Sequence, residues 1–304
     1  MNASINTTMG LKQWLMLVTL SILWGGSFFF VALALEALPA LSIVALRVLF
    51  AAVSLWGVVW LIKLKIPKDP QLWLGFLVMG LLNNAIPFTL ITWGQIQVAS
   101  GLAAIFNAAV PLFTVVVAAL LLPDEKVTPL KALGVVTGFV GVSIMLGFPS
   151  ISESGYVIAQ LAILVAGLSY AFAAVYGRRF KAQGINPMML ATGQLSVSSL
   201  IMLPIAFGVD GVISADQVAT TSMLAVLALA VLSTALAYIL YFKVLADAGA
   251  INASLVTLLI PVSAILLGVS ILGETLEWVH IVGMGLIALG LLIIDGRLWQ
   301  LIKR

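Results

Sequence analysis

The sequence predicts an all-α integral membrane protein of ten transmembrane helices, built as two inverted five-helix repeats with both termini cytoplasmic. Three observations predict it. The 304 residues are 63% hydrophobic and only 8% charged, far from the composition of a soluble globular domain. The apolar runs are long and continuous, which suits helices of about 20 residues rather than the short alternating segments of a membrane barrel. The basic residues also segregate to alternate loops, as the positive-inside rule requires of a correct helix count.

Breaks at charges, proline and glycine divide the chain into candidate spans. The first, 12–35, follows Lys12, and its apolar run from Leu15 to Leu35 exceeds that of a signal peptide, so it is expected to be retained. The second, 40–62, lies between Pro39 and Lys63, and the third, 71–93, between Pro70 and Gly94. The fourth, 99–122, stops at Pro123, and the fifth, 129–148, starts at Pro129. In the second half the spans are 156–177 before Arg178, 187–207 from Pro187, 219–243 up to Lys243, 251–272 before Gly273, and 279–298. The loops are short, so no separate soluble domain is expected.

With the N-terminus inside, Lys12, Lys63, Lys65, Lys68, Lys126, Lys131, Arg178, Arg179, Lys181, Lys243, Arg297, Lys303 and Arg304 all fall on the cytoplasmic side. The outer loops instead hold Glu36, Glu153, Asp210, Asp216, Glu274 and Glu277. Membrane orientation therefore accounts for the formal charge of +3, and no nucleic-acid partner is implied. The partners expected are the lipid bilayer and a small-molecule substrate. With no cysteine and a single histidine, His280, thiolate and histidine-rich metal centres are excluded, and no cofactor, metal or catalytic residue is expected.

An internal duplication sets the domain reading. Glu125 follows Pro111 by fourteen residues and Glu274 follows Pro261 by thirteen; from each Glu, glycines stand nine and sixteen residues on, at Gly134 and Gly141, then Gly283 and Gly290. Residues 12–148 and 156–298 thus read as two copies. Because each copy has an odd number of spans, the copies insert in opposite directions. Inverted repeats place a substrate site at their interface near the midplane, often beside interrupted helices. Pro87, Pro111 and Pro261 are accordingly hinge or gate candidates, packing kinks being the alternative.

The strings "LWGGSFFF", "LRVLFAA", "AAVPLFTVVVAALLLPDEKVTPLKALGVVTGFVGVSIML" and "IPVSAILLGVSILGETLEWVHIVGMGLIALGLLII" resemble the ten-helix EamA branch of the drug/metabolite transporter superfamily, over about residues 12–294. Within it the chain resembles exporters of aromatic and other neutral amino acids. That resemblance implies a multi-pass protein of the cell inner membrane that exports amino acids and similar small metabolites, and it is the source of the word exporter. Export of drugs or amphipathic metabolites is the alternative within the class. An intramembrane enzyme or assembly protein ranks below both, since no cluster of nucleophile, base or metal ligands is visible. In "LLPDEK" a residue other than the usual glycine precedes the Glu, a local departure in a loop.

Register carried from the prolines lays "LLNNAIPFTLI" on "VLSTALAYILY", matching Asn83 and Asn84 with Ser233 and Thr234, and Phe88 with Tyr238. Each polar doublet has an aromatic four residues on, on the same helical face. Such a face suits a small amphipathic solute; interhelical hydrogen bonding is the alternative. Trp24 and Tyr170 lie deep in their spans, away from the interfacial belt, with Phe28 on the face of Trp24. Arg47 is the one charge well inside a span, opposite neutral Gln194 in the repeat. Its guanidinium could meet a substrate carboxylate or make a structural pair. Carboxylates lie near helix ends or in loops, so uniport is expected over obligate proton exchange. The glycine rows of spans five and ten suit close helix packing within a monomer, a homodimer through them being the alternative.

Overall fold

The computed structural model describes residues 10–123, 125, 128–146, 154–213 and 218–295, and these are helical or in short connections. The expectations for Lys126, Glu153, Asp216, Arg297, Lys303 and Arg304 lie outside the described residues. Eight helices are long and apolar enough to cross a membrane: α1 (Leu11–Leu35), α2 (Ala40–Leu61), α3 (Pro70–Gly94), α4 (Ser100–Leu121), α5 (Pro129–Leu146), α6 (Ser154–Ala182), α7 (Pro187–Asp210) and α8 (Thr220–Gly249). Two shorter apolar helices follow, α9 (Val256–Leu272) and α10 (Trp278–Asp295).

Several boundaries differ from expectation, each for a local reason. Helix α6 runs five residues past 177, so Arg178, Arg179 and Lys181 stand on its last turns rather than in a loop. Basic side chains there complement the negative end of the helix dipole. Helix α8 continues past 243 and stops at Gly249, whose φ of 79° favours glycine. Asp210, expected in a loop, is the last residue of α7. Its carboxylate accepts from the Ser42 backbone N–H (2.8 Å) and Oγ (2.7 Å), capping the first turn of α2.

The packing pairs elements across the two halves of the chain. Helix α1 packs on α8 and α9 as α6 packs on α3 and α4, while α2 lies on α7, α4 on α9 and α5 on α10. Glycine makes the last pair close. A Cβ on Gly134 would stand 2.6 Å from the Gly290 carbonyl oxygen, and one on Gly141 would stand 2.6 Å from that of Gly283. The two glycine rows therefore face each other within the chain. Gly141→Val is expected to cost about 1–3 kcal/mol through overpacking, lowering the thermal midpoint in detergent. The Gly25 of "WGGS" plays the same part between α1 and α9, where a Cβ would stand 2.9 Å from the Ile260 carbonyl. Beside it Ser263 Oγ donates to the Ser21 carbonyl at 2.7 Å.

One end of the α4–α9 seam is tied by a carboxylate. Glu274 Oε1 and Oε2 accept from the backbone N–H groups of Ser100 (2.6 Å) and Gly101 (2.9 Å), capping α4 from another part of the chain. Anions are stabilised at a helix N-terminus by its free N–H groups and dipole. Glu274→Gln removes the charge and is expected to cost about 1 kcal/mol, read as a lower melting temperature.

The local breaks stand just before the prolines rather than at them. Helix α4 breaks at residues 108–109, and Pro111 is the second residue of the segment that restarts at Val110. There its missing N–H costs nothing, because first-turn donors have no intrahelical acceptor. Pro261 lies inside a continuous α9, and the turn in that part of the chain is earlier, at 254–255. Pro87 likewise opens the α-helical half of α3 after a π-helical segment. Pro204, inside α7, was not foreseen.

Candidate functional site

Polar residues in an apolar helix must face protein, because hydrocarbon offers no hydrogen-bond partners. The structure brings seven of the sequence candidates together under that constraint: Arg47 of α2, Asn83, Asn84 and Phe88 of α3, Gln194 of α7, and Thr234 and Tyr238 of α8. The Tyr238 hydroxyl is the hub. It accepts from Asn83 Nδ2 (3.0 Å) and Gln194 Nε2 (3.2 Å), and donates to Asn84 Oδ1 (3.4 Å). Asn83 Nδ2 also reaches Gln194 Oε1 at 3.4 Å. Several of these distances sit at the long end of the hydrogen-bond range, so the amides hold one another loosely.

Two π-helical segments aim the doublets. Residues Leu81–Ala85 of α3 and Val231–Leu236 of α8 each wind wider than an α-helix, and they contain Asn83–Asn84 and Ser233–Thr234 respectively. A π-segment shifts side chains around the helix and frees carbonyls, and such segments are frequent at functional sites. Side chains take up the carbonyls here. Ser169 Oγ of α6 donates to the Leu82 carbonyl at 2.7 Å, and Thr234 Oγ1 to the Leu229 carbonyl at 2.8 Å. Ser198 Oγ lies 3.0 Å from the Gly80 carbonyl, 2.7 Å from that of Gln194 and 3.4 Å from Asn84 Nδ2. The Ser233 hydroxyl is buried without a partner.

Arg47 is 7% exposed. Its Nε donates to Thr234 Oγ1 at 3.0 Å, and its guanidinium carbon stands 3.6 Å from the centroid of the Phe88 ring. A cation over an aromatic face is favourable, more so away from water. The Tyr170 and Tyr238 phenols are close enough to interact electrostatically with it. No carboxylate pairs with it among the described residues.

The remaining candidates lie around this cluster rather than in it. Tyr170 packs between the two largest apolar clusters. Trp24 stands 5.3 Å from Tyr241, ring to ring, and Tyr241 stands 5.6 Å from Phe242, which stacks on Tyr238 at 5.9 Å. An aromatic chain thus runs from α1 to the hub. Phe28 is buried in the apolar core, with no tie to the polar cluster among its contacts. Pro111 and Pro261 belong to the α4 and α9 helices described above. Sequence reasoning missed Ser169, Ser198, Tyr241 and Phe242; Ser198, four residues after Gln194, carried a signal of register.

Arg47, Asn84, Phe88, Gln194 and Thr234 of the cluster are buried, while Asn83 and Tyr238 are half-buried. A cleft of about 530 Å³ opens elsewhere, lined by Leu11, Lys12, Leu15, Met16 and Thr19 of α1 and Leu240 of α8. Lys12 at its edge faces Asp247 at 4.0 Å. The cluster holds donors, acceptors, one cation and aromatic faces, and no metal-ligand set occurs among the described residues.

Comparison with known proteins agrees with this chemistry. The model of the EamA-like transporter family matches residues 11–147 and, separately, 157–295. The chain is 28% identical over 280 residues to the uncharacterized inner membrane transporter YedA of Escherichia coli K12, covering 91% of this chain and 89% of that protein. It is 25% identical to the uncharacterized transporter YoaV of Bacillus subtilis, covering 92% and 95%, and 25% identical to the protein PecM of Dickeya dadantii, covering 90% and 88%. A solved crystal structure, 18% identical, superposes with a TM-score of 0.68 over 94% of this chain and 98% of that one, a likeness of fold.

Proposed function

Because the chain belongs to the EamA-like transporter family, we propose that it exports neutral and aromatic amino acids and similar small metabolites across the cytoplasmic membrane, by facilitated alternating access. The observation that carries the reading is the buried polar and aromatic cluster around Tyr238, drawn from α2 and α3 of one half and α7 and α8 of the other. A transporter that alternates access places its solute where two bundles meet, so that rocking one against the other exposes the same site to either side.

The proposed architecture is a ten-span bundle of two inverted repeats with cytoplasmic termini. Support comes from the exchange-symmetric packing, the two π-segments spaced alike in the two halves, and the two successive matches to one family model. The cytoplasmic membrane as location follows the naming of the relatives and the outward-acidic, inward-basic loops. Uniport follows from the cluster itself, which contains a cation and neutral groups but no carboxylate to carry a proton.

The test is flux of labelled phenylalanine, threonine and methionine in proteoliposomes, with and without an imposed pH gradient, against protein-free vesicles. Saturable flux independent of the gradient is the expected result. Flux only with a gradient would replace uniport by proton coupling, and no flux of any of the three would sink the amino-acid assignment.

A further inference from the structure

A buried guanidinium without a carboxylate partner is costly, and such groups normally sit beside an anion or lie on a functional pathway. Arg47 uses one donor, to Thr234, and lays its plane on Phe88. A guanidinium carries five N–H donors in a rigid fork that matches a carboxylate bidentately. With Nε given to Thr234, the N–H donors on the two Nη atoms have no hydrogen-bond partner among the described residues. Around it stand neutral groups only: the amides of Asn83, Asn84 and Gln194, the Thr234 hydroxyl and the Tyr170 and Tyr238 phenols.

The acids whose side chains are described are exposed, as Glu36 and Glu277 are, or engaged elsewhere. Asp210 caps α2, Glu274 caps α4, Asp69 caps α3, Glu125 pairs with Lys131 and Arg178, and Asp247 lies opposite Lys12. An ammonium group entering the cluster would therefore meet carbonyl oxygens and aromatic faces but no counter-charge. Electrostatic complementarity decides such a case, because like charges juxtaposed in a dry site are rejected strongly.

We infer that Arg47 is a carboxylate-recognition residue and that the cluster selects small aromatic or apolar carboxylates, with or without an α-amino group, against amines that lack the carboxylate. The inference rests on the transporter reading above and names its substrate class. It sets 3-phenyllactate, which keeps the carboxylate and ring of phenylalanine but replaces the ammonium by hydroxyl, beside phenylalanine itself as a ligand. Phenethylamine, which keeps the ring and ammonium but lacks the carboxylate, is excluded.

The experiment measures ligand-dependent thermal stabilisation of the purified full-length protein by these three compounds, alongside their inhibition of labelled phenylalanine flux. Phenyllactate is expected to bind within about threefold of phenylalanine, and phenethylamine at least about tenfold more weakly than either. Arg47→Gln is expected to erase that difference, whereas Arg47→Lys, which keeps the charge without the fork, retains part of it. A purely structural role would lower the melting temperature of the unliganded variant and leave the order of ligands unchanged. Should Arg47→Gln fail to fold, the wild-type order of the three ligands and the behaviour of Arg47→Lys still decide. Phenethylamine binding as well as phenylalanine, or phenyllactate failing to bind at concentrations where phenylalanine binds, would overturn the inference. Selective binding with no flux would leave recognition standing and overturn the transporter reading alone.

Discussion

Tyr238→Phe is expected to lower phenylalanine flux about tenfold or more while leaving the protein folded. The reason is the position of one oxygen. The Tyr238 hydroxyl links Asn83, Asn84 and Gln194, and without it three amides lose their common partner. Their mutual arrangement then rests on the 3.4 Å contact between Asn83 and Gln194 and on Ser198. The ring is retained, so stacking on Phe242 at 5.9 Å survives, and the loss of stability is about 1 kcal/mol, the size of a single hydrogen bond. Loss of orientation acts on transport more strongly than on folding, because the solute must find its donors and acceptors already placed. Flux in proteoliposomes and the melting temperature in detergent, measured on the same preparation, separate the two. Unchanged flux would remove Tyr238 from the site.

The second large effect concerns the seam between α4 and α9. A Cβ on Gly101 would stand 3.4 Å from the Ile265 Cα, within the reach of a disulfide between engineered cysteines. The natural chain has no cysteine, so a pair introduced at these sites reacts in a clean background. Gly101→Cys with Ile265→Cys is expected to cross-link on oxidation and to cut flux about tenfold or more, restored by reductant. The physical argument is that this end of the bundle carries polar groups better suited to water. The Gln95 amide and the Ser100 hydroxyl are buried without partners, each costing about 1–3 kcal/mol while the seam stays shut. On the proposed alternating access, opening of this seam would hydrate the Ser100 hydroxyl and break the Glu274 cap. Full flux in the oxidised, cross-linked protein would place the moving seam elsewhere.

Much of this architecture was legible in the sequence because the bilayer is a strict solvent. A span must be apolar over its whole length and must satisfy its own backbone, so Leu11–Leu35 and Ala40–Leu61 announce themselves within a residue or two. The same solvent made the candidate cluster visible. Asn83, Asn84, Arg47 and Gln194 could not face lipid, and the repeat register already matched Asn83–Asn84 with Ser233–Thr234. What stayed hidden depends on details that pattern does not encode. The widening of α3 at Leu81–Ala85 leaves no compositional mark, and serines such as Ser169 and Ser198 are too common in membrane helices to single out. The prolines gave the region of the breaks but not their position. Proline marks where a helix tolerates a missing donor, and Pro111 takes a first-turn position while Pro261 sits within α9. Phe28 shares the Trp24 face by periodicity, and both pack in the same apolar cluster. Glu274 read as a loop charge, and only the fold shows that it reaches Ser100.

The central claim is that the solute sits at the buried cluster around Tyr238. Ser233 offers the direct probe, since its hydroxyl is buried beside Thr234, makes no hydrogen bond and lies in a chain without cysteine. Ser233→Cys changes one oxygen to sulfur at that point. The rate at which a small water-soluble thiol reagent modifies this cysteine in functional proteoliposomes, with and without saturating phenylalanine, is the measurement to make. Modification slowed about tenfold by phenylalanine is the predicted result. Modification at the same rate with and without phenylalanine, in vesicles that still transport it, would contradict the claim.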